Sequence, residues 1–261
     1  MMKQKLRTTY YDILESLTGH RGVRVQIGPE ARLESYVVPL RWRRWFGENY
    51  EVPTFDFVAA YCRSGMTFVD IGAHFGIFTI AAAKRLGPQG HIFSFEPCPS
   101  TRAVMREFLH LNPVDAAIEI REEAVSGQSG MQKMYFSPIP GDPANTLFQN
   151  QSHQVEREIN VTTLDDFVAA HSLKVDCLKI DAEGAELAIL RGGRTLMSRQ
   201  HPNTHLSLHP AQIELSGGSL KEIWDLAAEY GMQIKHTDHK EIAHDWFCSQ
   251  RELFEVLLLP S

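Results

Sequence analysis

The chain has 261 residues, of which 43% are hydrophobic and 22% charged, the balance of a folded globular protein rather than a disordered or fibrous one. Its formal charge of −6 at pH 7 disfavours non-specific attraction to a nucleic-acid backbone. Cys62, Cys98, Cys177 and Cys248 form no CxxC pair, and no run approaches the roughly 18 apolar residues of a membrane span, so a soluble, cytoplasmic protein with reduced thiols is expected, with no nucleic-acid or membrane partner.

In chain order, Val23–Ile27 and Ser35–Pro39 read as hairpin strands, followed by the cluster Arg41-Trp42-Arg43-Arg44-Trp45 and a helix near Thr54–Cys62. These belong to an N-terminal appendage, residues 1–63, preceding one main domain, residues 64–261. From Thr67 onward, short apolar runs alternate with longer amphipathic stretches, the pattern of an α/β fold whose parallel strands are buried on both faces. The predicted strands are Thr67–Ile71, His91–Phe95, Ile118–Ala124, Val175–Ile180, Thr204–Leu208, Met232–His236 and Glu252–Leu258. Helices are predicted at Ile77–Leu86, Ser100–Leu111, Gly184–Met197 and Ser219–Tyr230, most of them ended by Gly or Pro. Between the third and fourth strands, Gln132–Ser137 and Glu156–Thr162 read as an inserted β-hairpin joined by the polar loop Pro138–Gln154, in which Asn145-Thr146 is a candidate lid.

The sharpest local pattern is Val69-Asp70-Ile71-Gly72-Ala73-His74-Phe75-Gly76, which closes a strand and opens a helix. Glycine at 72 and 76 permits a tight turn and close approach of backbone to a ligand, and Asp70 can hold either the ligand or the loop. Such a turn is weak evidence alone. The strand His91–Phe95, however, ends in Glu96-Pro97, and a carboxylate there suits both hydroxyls of an adenosine ribose. The dinucleotide fingerprint GxGxxG is absent, because His74 and Ile77 stand where its glycines would, which disfavours nicotinamide cofactors. S-adenosylmethionine has no phosphate and needs an acid near its amino-acid end and another near its ribose, places that Asp70 and Glu96 suit. Glu122-Glu123-Ala124 offers a carboxylate and a backbone amide to an adenine edge, or is a solvated strand end.

A fourth buried strand then runs into Asp181-Ala182-Glu183-Gly184-Ala185-Glu186 at the carboxyl edge of the sheet. Asp181 at the strand tip is the better site candidate, while Glu186 also suits a helix N-terminus. Taken in order, VDIGAHFG, FEPCPS, TTLDDFV and LKIDAEGAELAILRGG resemble the FkbM family of S-adenosylmethionine-dependent methyltransferases, from about Tyr50 to the C-terminus. The resemblance implies a Rossmann-like seven-stranded sheet with helices on both faces and an antiparallel last strand at Glu252–Leu258. It also implies O-methylation of a hydroxyl on a sugar, glycan or natural product. The cofactor contacts then expected are Tyr50, Asp70, Gly72, Ala73, His74, Gly76, Glu96, Glu123, Ala124 and Asp181. His74 departs from the family, which usually has Asn there, and either bonds the cofactor or faces the substrate.

An alcohol acceptor needs a base, and His209, after the fifth strand, is the first candidate, with Asp181 and Glu183 to orient the acceptor or assist. No metal is expected, since this turn alone has too few hard oxygen ligands. The Arg41–Trp45 cluster is either an exposed turn over buried aromatics or a surface for an anionic or nucleotide-linked acceptor. An NAD-dependent oxidoreductase and a catalytically silent cofactor-binding protein are the alternatives, and homo-oligomers remain open.

Overall fold

The computed structural model describes residues 22–28, 34–46, 50–137, 147 and 155–261. The proposed lid Asn145-Thr146 and residues 1–21 lie outside the described residues, and of the predicted loop Pro138–Gln154 only Leu147 is among them.

Seven strands form the central sheet: β3 (Thr67–Ile71), β4 (His91–Phe95), β5 (Ala117–Arg121), β9 (Cys177–Ile180), β10 (Asn203–Leu208), β11 (Met232–His236) and β12 (Phe254–Pro260). Their spatial order is β11-β12-β10-β9-β3-β4-β5, parallel except for β12, which runs antiparallel between β10 and β11. This is the Rossmann-like methyltransferase sheet that the sequence led us to expect. The order reverses at β3, flanked by β4 and β9, and such a switch point opens a crevice at the carboxyl ends of the strands.

Alternation along the strands feeds two cores. Val69, Ile71, Phe93, Phe95, Leu178 and Ile180 point to one, and Phe68, Ile92, Cys177 and Leu257 to the other. The second is covered by α1 (Val52–Tyr61), α2 (Ile77–Leu86) and α3 (Pro99–Leu111). The first is covered by α4 (Leu164–His171), α5 (Glu186–Gly192), α6 (Arg194–Gln200), α7 (Pro210–Leu215), α8 (Leu220–Glu229) and α9 (His244–Ser249). None of the described helices is long and apolar enough to cross a membrane.

Two predicted elements divide. The strand expected at Ile118–Ala124 leaves the main sheet after Arg121, and Ala124–Val125 becomes β6, which pairs with β8 (Val155–Thr162) rather than with β4. Antiparallel pairing of β8 with β7 (Gly130–Phe136) completes a three-stranded sheet that contains the expected hairpin. The helix expected over Gly184–Met197 is two, α5 and α6, broken at Gly192-Gly193, where a Cβ on Gly192 would collide with the Ser126 carbonyl. The motif TTLDDFV turns out to be a capping device. The Thr163 side chain accepts the Asp166 N–H at the start of α4, and Asp165 accepts the N–H groups of Thr195 and Leu196, both at 2.8 Å, at the start of α6. Before the main sheet in the chain, β1 (Val23–Ile27) and β2 (Glu34–Val38) pair antiparallel, as the hairpin reading expected.

Candidate active site

A cavity of about 390 Å³ occupies the switch point. Its floor is the turn after β3 and its sides are the segments after β4 and β9, while Trp45, Tyr50 and Glu51 bring the N-terminal region to the same opening. Gly72 has φ +73°, and a Cβ there would fall inside the Asp181 carbonyl oxygen, so the turns after β3 and β9 touch through a missing side chain. The N–H groups of Gly72 and Ala73 both donate to the Phe95 carbonyl at 3.0 Å. His74 is also left-handed, φ +50°, a conformation that Asn and His tolerate better than most residues. Its ring stacks on Phe75 at 3.9 Å and lies 5.7 Å from the Trp45 ring.

Glu96 stands in the cavity wall with its carboxylate held from behind, accepting the N–H of His74 at 3.0 Å and of Cys98 at 2.9 Å. Arg102 clamps the backbone below it by donating to the carbonyls of Glu96 and Pro97 at 2.9 and 2.7 Å. Burial, opposed by those two N–H groups and then by Arg102 and Lys179, pushes the Glu96 carboxyl up to about 7.

The register of the sheet builds a polar row that no local motif shows. Lys179 of β9 lies directly opposite Asp70 of β3, and Asp70 opposite Ser94 of β4. Thr79 of α2 covers the row, donating to Asp70 at 2.7 Å and sharing a hydrogen bond with Ser94 at 2.8 Å. Lys179 donates to the Gly72 carbonyl at 3.2 Å and sits 3.6 Å from both Asp70 and Asp181. Burial opposes its charge, but Asp181, Asp70 and Glu51 more than offset this and its pKa is raised. Asp70 holds the loop: it is fully buried and outside the cavity wall, fixed between Thr79 and Lys179.

His209 lies behind the wall. Its Nδ1 is 2.8 Å from Glu186, and its Nε2 is 3.8 Å from Asp181 and 3.6 Å from Glu183. Burial alone would depress the imidazole, but the Glu186 hydrogen bond and charge, with Glu183 and Asp181, push it up to about 9. The same carboxylates that would orient His209 as a base also favour its charged form, in which it pairs with two wall carboxylates. A folded-state pKa above the ordinary 6.5 contributes stability that is complete below 6.5 and lost as pH rises through about 9. That contribution is on the order of 3 kcal/mol at most. An NMR titration of the histidine rings should find His209 changing charge near pH 9, and a midpoint at the ordinary value would show that the carboxylates do not hold it.

Of the other sequence candidates, Tyr50, Gly72, Ala73, His74, Glu96, Ala124, Asp181 and Glu183 line the cavity. Glu123 does not; its carboxylate accepts from Arg121 Nε at 2.8 Å, while Glu122 turns outward to Arg102 and Arg106. Gly76 caps α2 against Met105 instead of facing the cavity. In the basic cluster, Trp42 packs on Phe75 at 4.5 Å, Arg41 pairs with Glu107, and Trp45 reaches the wall. Among the wall residues that sequence reasoning did not single out, three are polar or aromatic groups near the opening or the polar row: Trp45 as a specific contact, Glu51 and Lys179. Only Lys179 carried a signal, a charge inside an otherwise apolar strand.

The sequence matches the family model for the methyltransferase FkbM domain over residues 70–242. The chain belongs to the FkbM methyltransferase family. Among curated relatives, Methyltransferase 1 of Beauveria bassiana (strain ARSEF 2860) is 29% identical over 143 residues, covering 48% of this chain and 57% of its own length. Methyltransferase sdnD of Sordaria araneosa is 27% identical over 153 residues, covering 48% of this chain and 59% of its own. The chain thus spans little more than half the length of these relatives. A solved FkbM methyltransferase from Methylobacillus flagellatus KT is 17% identical with a TM-score of 0.46, covering 75% of this chain and 44% of that one. The family match takes in the loop after β3, Glu96, the Asp181–Glu186 turn and His209, and leaves Trp45, Tyr50 and Glu51 outside it.

Proposed function

We propose that this FkbM domain transfers a methyl group from S-adenosylmethionine to a hydroxyl of a small molecule, a sugar, glycan or natural product. The observation that carries the reading is the charge of the cavity: Glu51, Glu96, Asp181 and Glu183 stand in its wall against one lysine, Lys179. A pyrophosphate would be repelled there, whereas a ligand bearing ammonium and sulfonium charges is attracted. This disfavours a nicotinamide dinucleotide on grounds independent of the missing glycines.

The donor set fits this group. Glu96, with its two backbone donors behind it, has lone pairs left for ribose hydroxyls. Phe95, Pro97, Val125, Met134 and Leu147 supply apolar walls for a flat base, and Ala124 brings backbone beside them. Asp181, together with the Gly72–His74 turn, suits the amino-acid end. When bound, S-adenosylmethionine supplies a methyl carbon activated by sulfonium charge. The protein's share is then to align the acceptor oxygen, exclude water and take a proton. Trp45 and the His74 ring form aromatic faces on the N-terminal side of the cavity, where exposed Arg43 and Arg44 lie close in sequence, and an acceptor with a ring and an anionic group suits that combination.

The test is calorimetric titration with S-adenosylhomocysteine beside NADH. Saturable binding of the first alone is expected, and binding of NADH alone would overturn the reading. Glu96→Ala should weaken S-adenosylhomocysteine by about 1.5–3 kcal/mol per lost charge-assisted hydrogen bond. Because hydroxyl donors favour the ionised carboxyl, wild-type binding should also release protons at about pH 6.5, read as an enthalpy that depends on the buffer. A buffer-independent enthalpy would remove Glu96 from the contact.

A further inference from the structure

We propose that Glu51, from the segment preceding the matched family domain, is the group that takes the proton of the acceptor hydroxyl. The proposal rests on the methyltransferase reading above. Glu51 lines the cavity from the turn that starts α1, and its backbone is left-handed with φ +41°. The carbonyl of Glu51 starts the helix by accepting from Thr54 and Phe55, and its side chain makes no capping bond. The carboxylate is therefore not used to begin the helix.

The other acids of the wall are less suited to the task. Asp181 sits between two cations, with Oδ2 3.6 Å from Lys179 and Oδ1 3.8 Å from His209. Glu183 faces the same imidazolium at 3.6 Å, and Glu96 is already bound by two backbone donors. A carboxylate that shares its charge with a cation is a weaker base. His209 is itself favoured in its charged form by the carboxylates around it.

Glu51 is faced by Tyr50 on its own segment, by Lys179 of β9, by Asp181 beyond it and by Glu255 of β12. Burial pushes its carboxyl up to about 7; Asp181 and Glu255 add to the rise, while Lys179 and the Tyr50 hydrogen bond oppose it. A base with its pKa near the working pH is both ionised often enough and strong enough to accept a proton in the transition state. In the step, the acceptor oxygen forms a bond to the methyl carbon as its O–H bond breaks. The proton goes to the Glu51 carboxylate, and the electron pair of the broken carbon–sulfur bond returns to sulfur, leaving a neutral thioether. Half-buried at the cavity wall, Glu51 then returns the proton to solvent.

The experiment compares the full chain with Glu51→Gln, which keeps size and polarity but cannot take the proton. Carboxyl-carbon NMR of glutamate-labelled protein, needing no acceptor, should show several resonances titrating near pH 7, since Glu96 and Glu255 are also pushed up to about 7, and one of them should be missing from the variant; if the resonance lost in the variant titrates at the ordinary glutamate value, the proposal is overturned. Calorimetry should give the two proteins affinities for S-adenosylhomocysteine that differ by less than about tenfold, because Glu96, Asp181 and Glu183 remain in the wall. A loss of about tenfold or more would mean that Glu51 holds the cofactor's ammonium group, and also overturns it.

Methyl transfer is then read with two probes: the best hydroxyl acceptor from a panel of sugars, nucleotide sugars and benzyl alcohol, and iodide, which has no proton to lose. Glu51→Gln should lower the hydroxyl rate by about a hundredfold or more without lowering the iodide rate, which loss of a negative charge from the wall can only favour. Equal losses with both probes, or none with the hydroxyl, sink the assignment. A wild-type chain that binds no S-adenosylhomocysteine refutes the methyltransferase reading itself. One that binds it while Glu51 titrates ordinarily refutes the Glu51 assignment alone.

Discussion

Glu186→Ala should cost about 3–5 kcal/mol of unfolding free energy. The side chain is fully buried, and one of its oxygens accepts from His209 Nδ1 at 2.8 Å, from the Gly184 N–H at 3.1 Å and from the Ala182 N–H at 3.3 Å. Removing it leaves a buried imidazolium without its nearest anion and two backbone donors without their acceptor, while opening a void. The damage extends to the site, because the Asp181–Glu183 turn is held open by those bonds. Urea unfolding followed by circular dichroism measures the loss, and a change below about 1 kcal/mol would show that water replaces the carboxylate without penalty. Glu186→Gln is the informative partner variant. It keeps shape and hydrogen-bonding capacity, so it should be milder, and the His209 pKa should move down toward the ordinary histidine value once the charge is gone.

Gly72→Ala should abolish binding of S-adenosylhomocysteine and destabilise the fold by about 2–5 kcal/mol. Two penalties add: a left-handed φ of +73° on a residue with a Cβ, about 1–2 kcal/mol, and overpacking against a rigid neighbour, about 1–3 kcal/mol. The neighbour is the Asp181 carbonyl, part of the backbone, so it cannot rotate away. Relief requires the turns after β3 and β9 to part, and both of these turns line the cavity. Calorimetry and a thermal unfolding scan of the same sample separate the effects. Wild-type affinity in this variant would mean that the close approach of the two turns is unnecessary for binding.

Several elements were legible without the structure because their information is local. Ile77–Leu86 is bounded by Gly76 and Gly87, and the mainly apolar runs Thr67–Ile71 and His91–Phe95 and the alternating run Met232–His236 have limits that coincide with the observed strands. Glu96 was readable because the end of a buried strand is a place where a carboxylate needs a reason. The failures share a physical cause, which is competition between partners distant in sequence. Glu123 has the right position after a strand, but Arg121 takes its carboxylate. The helix from Gly184 has adequate periodicity across the Gly192-Gly193 break, but the Ser126 carbonyl occupies the space on that side. Trp45 and Glu51 stand in a segment with no periodic pattern, so although the Arg41–Trp45 cluster and Tyr50 drew notice, the direction of the Trp45 and Glu51 side chains was set only by the fold.

The sequence by itself determined the class of the fold, the turn after β3, the acidic ends of β4 and β9, and through them the methyltransferase family, because strand periodicity, glycine at tight turns and acids at strand tips are properties of short segments. Only the tertiary structure decided which of those groups face the cavity and which charged neighbours they meet. Register set Lys179 opposite Asp70 and turned Asp70 into a support for the loop. Packing of α5 against the His209 turn supplied the Glu186 anion that favours the charged histidine, and the N-terminal segment placed Glu51 at the cavity. The pKa of a buried group is the sum of burial and of charges delivered by other strands and helices, and that sum exists only after the chain has folded.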